Sequence, residues 1–85
     1  MQLPIDGVLD LHSFKPRDLK DLVPDYLAAC QERGILQVRI IHGKGIGAQR
    51  ATVRAVLART AFVAHFSDAP LEAGGWGATV ATLRD

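Results

Sequence analysis

A histidine stands at the end of each of two predicted strands, in the segments LDLH at residues 9–12 and IIHGKGIG at residues 40–47. A predicted helix begins a few residues after each one. If the two strands are parallel and adjacent, His12, His42, Lys44 and two helix N-termini meet at one edge of the sheet. The N–H groups and positive dipole ends of those helices would point there. This pattern predicts a phosphate-binding site with titratable side chains beside it.

Asp10 and His12 are two residues apart on a strand, so their side chains face the same side. A carboxylate next to an imidazole holds its tautomer and favours its protonated form. His12 then suits general acid–base work on a phosphodiester, with His42 as the second acid or as an electrostatic stabiliser. The alternative for Asp10 and His12 is that they only bond to neighbouring backbone, and the alternative for His42 is that it is a structural hydrogen bonder that shapes the loop. They could also hold one divalent ion, but the sequence requires neither a metal nor another cofactor.

The loop between the second strand and the second helix is rich in glycine. Gly43, Gly45 and Gly47 allow a ligand to approach the backbone, and Lys44 between them is placed to bind a phosphate. The spacing is not that of a Walker A loop, which argues against a nucleoside triphosphate ligand. An ordinary flexible loop is the alternative.

Four cations lie in or near the first turns of the two predicted helices, beside the same edge. Cations at the positive end of a helix dipole lower the stability of the helix. Contact with a phosphate backbone would explain their presence there. A solvated surface is the alternative. The four residues are Lys15, Arg17, Arg50 and Arg54.

Trp76 lies between Gly74–Gly75 and Gly77. An exposed tryptophan can stack on a base. At the start of a predicted strand, packing over the edge of the core is the favoured interpretation.

The element order predicted from hydrophobic periodicity is β-α-β-α-β-β. Strands that alternate with helices imply right-handed crossovers and parallel pairing of the first strands. We therefore expect an α/β two-layer sandwich with both helices on one face of the sheet. Residues 1–7 are expected to form an N-terminal arm and residues 8–85 the domain. The predicted strands are 8–12, 36–41, 61–66 and 76–83, and the predicted helices are 16–33 and 48–59.

Pro24 conflicts with the first helix. It lacks an N–H group and clashes with the carbonyl of Lys20, at a cost of about 3 kcal/mol in a regular helix interior. The sequence therefore predicts a bend there, or two short segments that meet at residues 23–24.

Composition excludes several classes of protein. The 85 residues suit a single domain, and their hydrophobic share of 48% is enough to close a core. A net charge of +1 does not by itself argue for nucleic acid. The single cysteine, Cys30, rules out an internal disulfide and is expected in the core. No apolar run reaches membrane-spanning length, and the N-terminus does not resemble a secretory signal, so a cytoplasmic location is expected.

Three motifs in order resemble the small MutS-related (Smr) domain family: LDLH, HGKGxG and GGWGATV at residues 74–80. The resemblance extends from about residue 9 to residue 83. It implies a β-α-β-α-β-β fold like the C-terminal domain of a bacterial translation initiation factor, with the last strand antiparallel in a four-stranded mixed sheet. It also implies nucleic-acid binding and, as in several members, nicking or endonuclease activity on DNA or RNA. The chain looks like the stand-alone bacterial type.

The family's motifs map onto residues already singled out. Its D-x-H is Asp10 and His12, and its H-G-x-G loop is His42, Gly43, Lys44 and Gly45. The position after LDLH is commonly glycine in the family and is Ser13 here. A Cβ at that position narrows the approach to a phosphate, whereas the hydroxyl could help to bind it. A binding module without catalysis and a purely structural domain remain the alternatives to an endonuclease.

Overall fold

A computed structural model of the chain describes residues 4–44 and 47–85. The described residues form one four-stranded sheet with the strand order β1-β2-β4-β3. Two helices pack against each other and cover one face of the sheet. The strands are β1 (Val8–Asp10), β2 (Gln37–Ile41), β3 (Val63–Asp68) and β4 (Ala78–Leu83), and the helices are α1 (Leu19–Glu32) and α2 (Ala48–Arg59).

β1 and β2 are adjacent and parallel, as predicted, with Asp10 opposite Ile41. β4 is antiparallel to both of its neighbours, β2 and β3. The sheet is therefore mixed, and the expected element order and antiparallel last strand are confirmed. Because β1 and β2 run in the same direction, the segments that follow them leave the sheet at one edge.

The core lies between the sheet and the helices. Alternate strand residues such as Leu9, Val38, Ile40 and Ala81 face the helices and are almost completely buried. Each large apolar side chain buried in this way contributes roughly 1.5–3 kcal/mol relative to an exposed one. Three side chains of α2 are buried in this core, and the expectation that Cys30 lies in the core is confirmed. The α2 residues are Val53, Val56 and Leu57.

The first helix differs from the prediction in two ways. Pro16–Asp18 form a short 3-10 turn, and α1 begins at Leu19. The helix then continues through Pro24 to Glu32, so the prediction of two separate segments is wrong. Burial of Leu19, Val23, Tyr26, Leu27 and Cys30 on one stripe of α1 outweighs the missing hydrogen bond of the proline. Gly34 follows the helix with a positive φ of 74°, a conformation that commonly ends a helix and that glycine adopts easily.

The C-terminal strands are shifted from their predicted limits. β3 begins and ends two residues later than expected, so that it includes Asp68. β4 begins at Ala78, because the preceding glycine-rich segment folds into two short 3-10 turns at Leu71–Ala73 and Gly75–Gly77. Trp76 therefore lies in a turn and not at the start of a strand.

Part of the expected N-terminal arm is packed on the domain. The hydroxyl of Tyr26 in α1 lies 3.0 Å from the carbonyl oxygen of Val8 and 3.2 Å from that of Pro4. Ile5 packs against the core. These contacts hold the start of β1 against α1. In the part of the chain that the structure describes, neither helix has the length and apolar character needed to cross a membrane.

Candidate nucleic-acid interface

Asp10 and His12 form a local pair at the end of β1. One carboxylate oxygen of Asp10, Oδ1, accepts the backbone N–H of His12 at 3.0 Å and lies 2.8 Å from its Nδ1. These two hydrogen bonds lower the pKa of Asp10, so the carboxylate is ionised and can only accept. Nδ1 of His12 must therefore carry a proton, and in the neutral ring Nε2 is the basic nitrogen. The His12 side chain is 74% exposed, which leaves that nitrogen accessible.

His42 has a contrasting environment at the end of β2. It is only 7% exposed, and both ring nitrogens have partners in the protein. Nδ1 lies 3.1 Å from the carbonyl oxygen of Gly43, and Nε2 lies 2.8 Å from the hydroxyl oxygen of Thr79. Burial lowers the pKa of His42, and the charges of Arg50 and Arg54 lower it further. The ring is therefore neutral at pH 7 and accepts the Thr79 hydroxyl at Nε2.

The two histidines lie at the same edge of the sheet but face opposite sides of it. Asp10 pairs with Ile41, on the face that the helices do not cover. Thr79 pairs with Ile40, which lies in the core on the helix-covered face. The predicted meeting of both histidines at one edge is confirmed. Their side chains are nevertheless separated by the thickness of the sheet.

The N-terminus of α2 borders a cavity of about 320 Å³ on the helix-covered side of this edge. Gly47, with a positive φ of 82°, precedes the helix, and neither a side-chain cap nor an acidic residue occupies the first turn. The positive end of the dipole therefore meets the cavity, together with first-turn N–H groups that have no acceptor within the helix, and this arrangement is suited to an anion. The lining residues are Pro16, His42, Gly43, Gly47, Ala48, Gln49 and Arg50.

The two glycine-rich segments of the sequence are bonded to each other. The carbonyl oxygen of Gly77 accepts the N–H groups of His42 at 3.1 Å and Gly43 at 2.8 Å. Lys44 lies directly over Gly77, and its ammonium is 5.6 Å from the centre of the Trp76 ring. Loop 42–44 and the turn Gly75–Gly77 thus form one surface.

The basic residues predicted to line the edge divide into two groups. Arg50 and Arg54 both bind the carboxylate of Asp68, at 2.8 and 2.5 Å, and the guanidinium of Arg54 also lies over the Phe66 ring. The apolar pattern of residues 48–59 predicts that both arginines point outward from the helix. This prediction is wrong, because Asp68 lies on the helix-covered face of β3 beneath them. Lys15, Arg17 and Lys44 are exposed, and no carboxylate within the described ranges pairs with them.

Three further predictions concern Ser13, Gly45 and a metal site. Ser13 is exposed, immediately after His12. Gly45 lies outside the described residues. Among residues 4–44 and 47–85, no three His, Cys, Asp or Glu side chains are close enough together to hold a metal ion. Asp10, His12 and His42 therefore do not form the three-ligand site that the sequence left open.

Sequence reasoning missed Thr79 and Asp68, which hold His42 and the two arginines. Thr79 is one of two threonines in β4 and is completely buried, and a buried hydroxyl needs an internal partner, but the sequence did not show which of the two is buried. Asp68 carried no comparable signal, because it lay in a segment predicted to be a loop.

Comparison with known proteins agrees with this geometry. The model of a family described as the Smr domain matches residues 9–84. The Smr domain of Thermus thermophilus MutS2 superposes with a TM-score of 0.87 at 35% identity, covering 94% of this chain and all of that one. YdaL, a stand-alone small MutS-related protein from Escherichia coli, superposes with the same TM-score at 26% identity, covering 96% of this chain and 67% of that one.

Curated relatives match over the same region. They include proteins named endonuclease MutS2 from Thermus thermophilus, 42% identical over 73% of this chain, and from Carboxydothermus hydrogenoformans, 37% identical over 89% of it. The chain spans only 8% and 10% of the lengths of those two relatives. The matched family model, the shared fold and the three motifs lead to one conclusion: this chain belongs to the Smr domain family.

Proposed function

We propose that this domain binds nucleic acid along the edge formed by the ends of β1 and β2, and that it cleaves phosphodiester bonds there as an endonuclease or nickase. The observation that carries the proposal is the Asp10–His12 pair, in which a fixed tautomer presents an accessible basic nitrogen. The same edge holds the cavity at the N-terminus of α2 and the exposed cations. The names of the MutS2 relatives, which are called endonucleases, agree with it.

Each group at the edge has a distinct role in this proposal. Nε2 of His12 removes the proton from the attacking oxygen, which is a water or, in RNA, the neighbouring 2′-hydroxyl. As this oxygen bonds to phosphorus, the bond between phosphorus and the leaving oxygen breaks, and solvent water protonates the leaving oxygen. Asp10 holds the ring and stabilises the imidazolium that results. Lys44 and the N–H groups of Gly45 and Gly47 bind the phosphate. The N–H of Gly43 already donates to the carbonyl oxygen of Gly77, so Gly43 shapes the loop and does not donate to the phosphate.

The remaining predicted residues support binding. Lys15 and Arg17 contact the adjacent phosphates, and the Ser13 hydroxyl donates to one of them. We assign His42 to positioning, since both of its ring nitrogens are engaged with Thr79 and Gly43. Arg50 lines the cavity, but it and Arg54 share the charge of Asp68, so their contribution to binding is smaller.

A cleavage assay tests this proposal. Purified protein is incubated with supercoiled plasmid and with single-stranded RNA, each in EDTA and in added divalent ions. We expect nicked plasmid or shortened RNA from the wild type and almost none from His12→Ala. Activity that survives EDTA places the chemistry on protein groups alone, whereas activity that returns only with added ions requires a metal brought in with the substrate.

A binding module that does not cleave is the second candidate. It is favoured by the burial of His42, because among the described residues the edge then offers one accessible histidine, and His42 is not available to protonate the leaving oxygen. In this case the wild type shifts labelled nucleic acid in a gel but leaves it intact under every ion condition. The same assay therefore separates the two candidates.

A further inference from the structure

Trp76 is the most exposed of the phenylalanine, tyrosine and tryptophan residues that the structure describes, with 48% of its surface accessible. It lies in the turn Gly75–Gly77, which borders the loop that carries His42 and Lys44. A tryptophan packed over the core edge, as the sequence favoured, would be largely buried. Its exposure therefore needs another explanation.

The turn that carries Trp76 is fixed at both ends. Arg39, on the helix-free face of β2, donates from Nη1 to the carbonyl oxygen of Ala73 at 3.0 Å. On the other side of Trp76, the carbonyl oxygen of Gly77 accepts two N–H groups from loop 42–44. An aromatic ring on such a turn binds a ligand with little loss of conformational entropy.

Gly77 keeps a cation beside this ring. A Cβ at position 77 would lie 2.9 Å from Cγ of Lys44, too close for both to remain in place. The absence of a side chain at Gly77 thus lets Lys44 cross the turn and place its ammonium 5.6 Å from the centre of the Trp76 ring. That separation is within the range of a cation–π contact.

An exposed indole next to a lysine ammonium is complementary to the two parts of one nucleotide, its base and its phosphate. The ring offers a stacking surface for a base, and the ammonium lies within reach of the phosphate attached to it. In a duplex both faces of each base are already covered, and extruding one costs a few kcal/mol. An unpaired base carries no such cost.

We propose that Trp76, together with Lys44, is a stacking platform for an unpaired base, and that the domain therefore selects single-stranded segments of nucleic acid. This inference rests on the proposed nucleic-acid binding and names the substrate class for it. It assigns Trp76 to binding and not to the chemical step.

The single tryptophan of the chain makes the test direct, because all indole fluorescence comes from Trp76. The probes are oligothymidylate and oligouridylate of about ten nucleotides, which fits the site sizes of single-strand binders, and a blunt DNA duplex of equal length. We expect both single strands to quench the fluorescence and the duplex to do so much less. The two single strands also distinguish a DNA from an RNA preference.

Anisotropy of labelled strands supplies the affinities. Trp76→Leu should weaken single-strand binding by roughly 5- to 150-fold, the usual loss for one stacked base, and change duplex binding less than twofold. Trp76→Phe, which retains an aromatic ring, should recover part of the affinity. This recovery would show that the loss in Trp76→Leu comes from the missing ring and not from misfolding. Leu71→Ala is the matched control, because Leu71 is 90% exposed in the preceding 3-10 turn and should leave binding unchanged.

The outcomes separate this inference from the proposed function. Single strands that bind tightly without quenching, or an equal loss for single strand and duplex in Trp76→Leu, would overturn the platform and leave nucleic-acid binding intact. If the wild type binds none of the three probes, both proposals fail.

Discussion

His12 and His42 follow neighbouring parallel strands and leave the sheet at the same edge, yet their surroundings differ. His12 is exposed, has one partner, Asp10, and presents Nε2 to solvent. His42 is buried, and Thr79 and Gly43 occupy both of its nitrogens. An equivalent place in the topology therefore does not confer an equivalent role.

The difference arises from the two faces of the sheet. Alternation along β1 directs Asp10 to the face without helices, where His12 joins it in solvent. His42 instead reaches Thr79 on the face that the helices cover, where a charged ring would lose its hydration. The exposed histidine is suited to proton transfer, and the buried one to holding the loop that begins at Gly43.

The largest expected effect is on cleavage by His12→Ala. If His12 moves a proton, the cleavage rate should fall by about 100-fold or more, since positioned acid–base catalysis is worth about 10²–10⁴. Affinity for the same strand should change little, because a neutral imidazole makes few phosphate contacts. Single-turnover cleavage and a gel shift on the same substrate measure the two quantities separately.

Two variants sharpen that result. His12→Asn keeps a polar group of similar reach but cannot titrate near neutral pH, so it should be as inactive as His12→Ala. Asp10→Asn should show a smaller loss, because Asp10 only orients the ring and stabilises its cation. A His12→Asn variant with wild-type cleavage would show that His12 does not act as the base.

His42→Ala should affect stability first. It leaves the buried Thr79 hydroxyl without its partner and creates a small cavity, so unfolding should become easier by about 1–3 kcal/mol. Urea denaturation of the two proteins measures the difference. If His42→Ala abolishes cleavage while the free energy of unfolding is unchanged, His42 is catalytic and the contrast with His12 disappears.

The pH dependence of stability tests the buried histidine in another way. The pKa of His42 in the folded protein is below its ordinary value of 6.5, so the unfolded chain takes up a proton first. The stabilisation is complete above pH 6.5 and is lost as the pH falls from there through the folded pKa. Asp10 and Asp68 also have lowered pKa values, but these two carboxyl groups change the stability only when the pH falls to their ordinary pKa of 3.8 and below. The wild type should therefore lose stability between pH 6.5 and 5 more steeply than His42→Ala, as urea midpoints across that range would show.

Most of the fold could be predicted from the sequence, because hydrophobic periodicity, Gly34 and the crossover rule all favour one topology. The departures are local. Pro24 lies inside a continuous helix, because five buried side chains on that helix stabilise it by packing. The low helix propensity of proline, on which the prediction of a break was based, does not take this packing into account. The turns before β4 depend on Arg39 and on the close approach of Lys44 to Gly77, which are contacts between distant parts of the chain.

The candidate site was predictable in its location but not in the environments of its residues. The motifs placed Asp10, His12 and His42 at one edge, as observed. They could not show that Thr79 binds His42 or that Asp68 binds two arginines, because those partners are 37 and 14–18 residues away in sequence. The position of a cation near a helix N-terminus predicted a contact with nucleic acid. That position is the same for cations that are paired with Asp68 and for cations that are not, so the sequence could not distinguish the two groups.

The smallest expected effect is that of Lys44→Ala on nucleic-acid binding, and this variant tests which cations contact phosphate. Lys44 lies in loop 42–44, which His42 positions, and Asp68 does not neutralise it as it does Arg50 and Arg54. Lys44→Ala should weaken binding at low salt and lower the slope of log affinity against log salt by roughly 0.7–0.9, the value for one lost phosphate contact. Arg59→Ala is the matched control, because it removes the same charge from an exposed residue in the last turn of α2, far from the cavity. Its slope should equal that of the wild type. An equal change in the slope of both variants would mean that the overall charge of the protein attracts nucleic acid. The edge that carries His12 would then not be the interface.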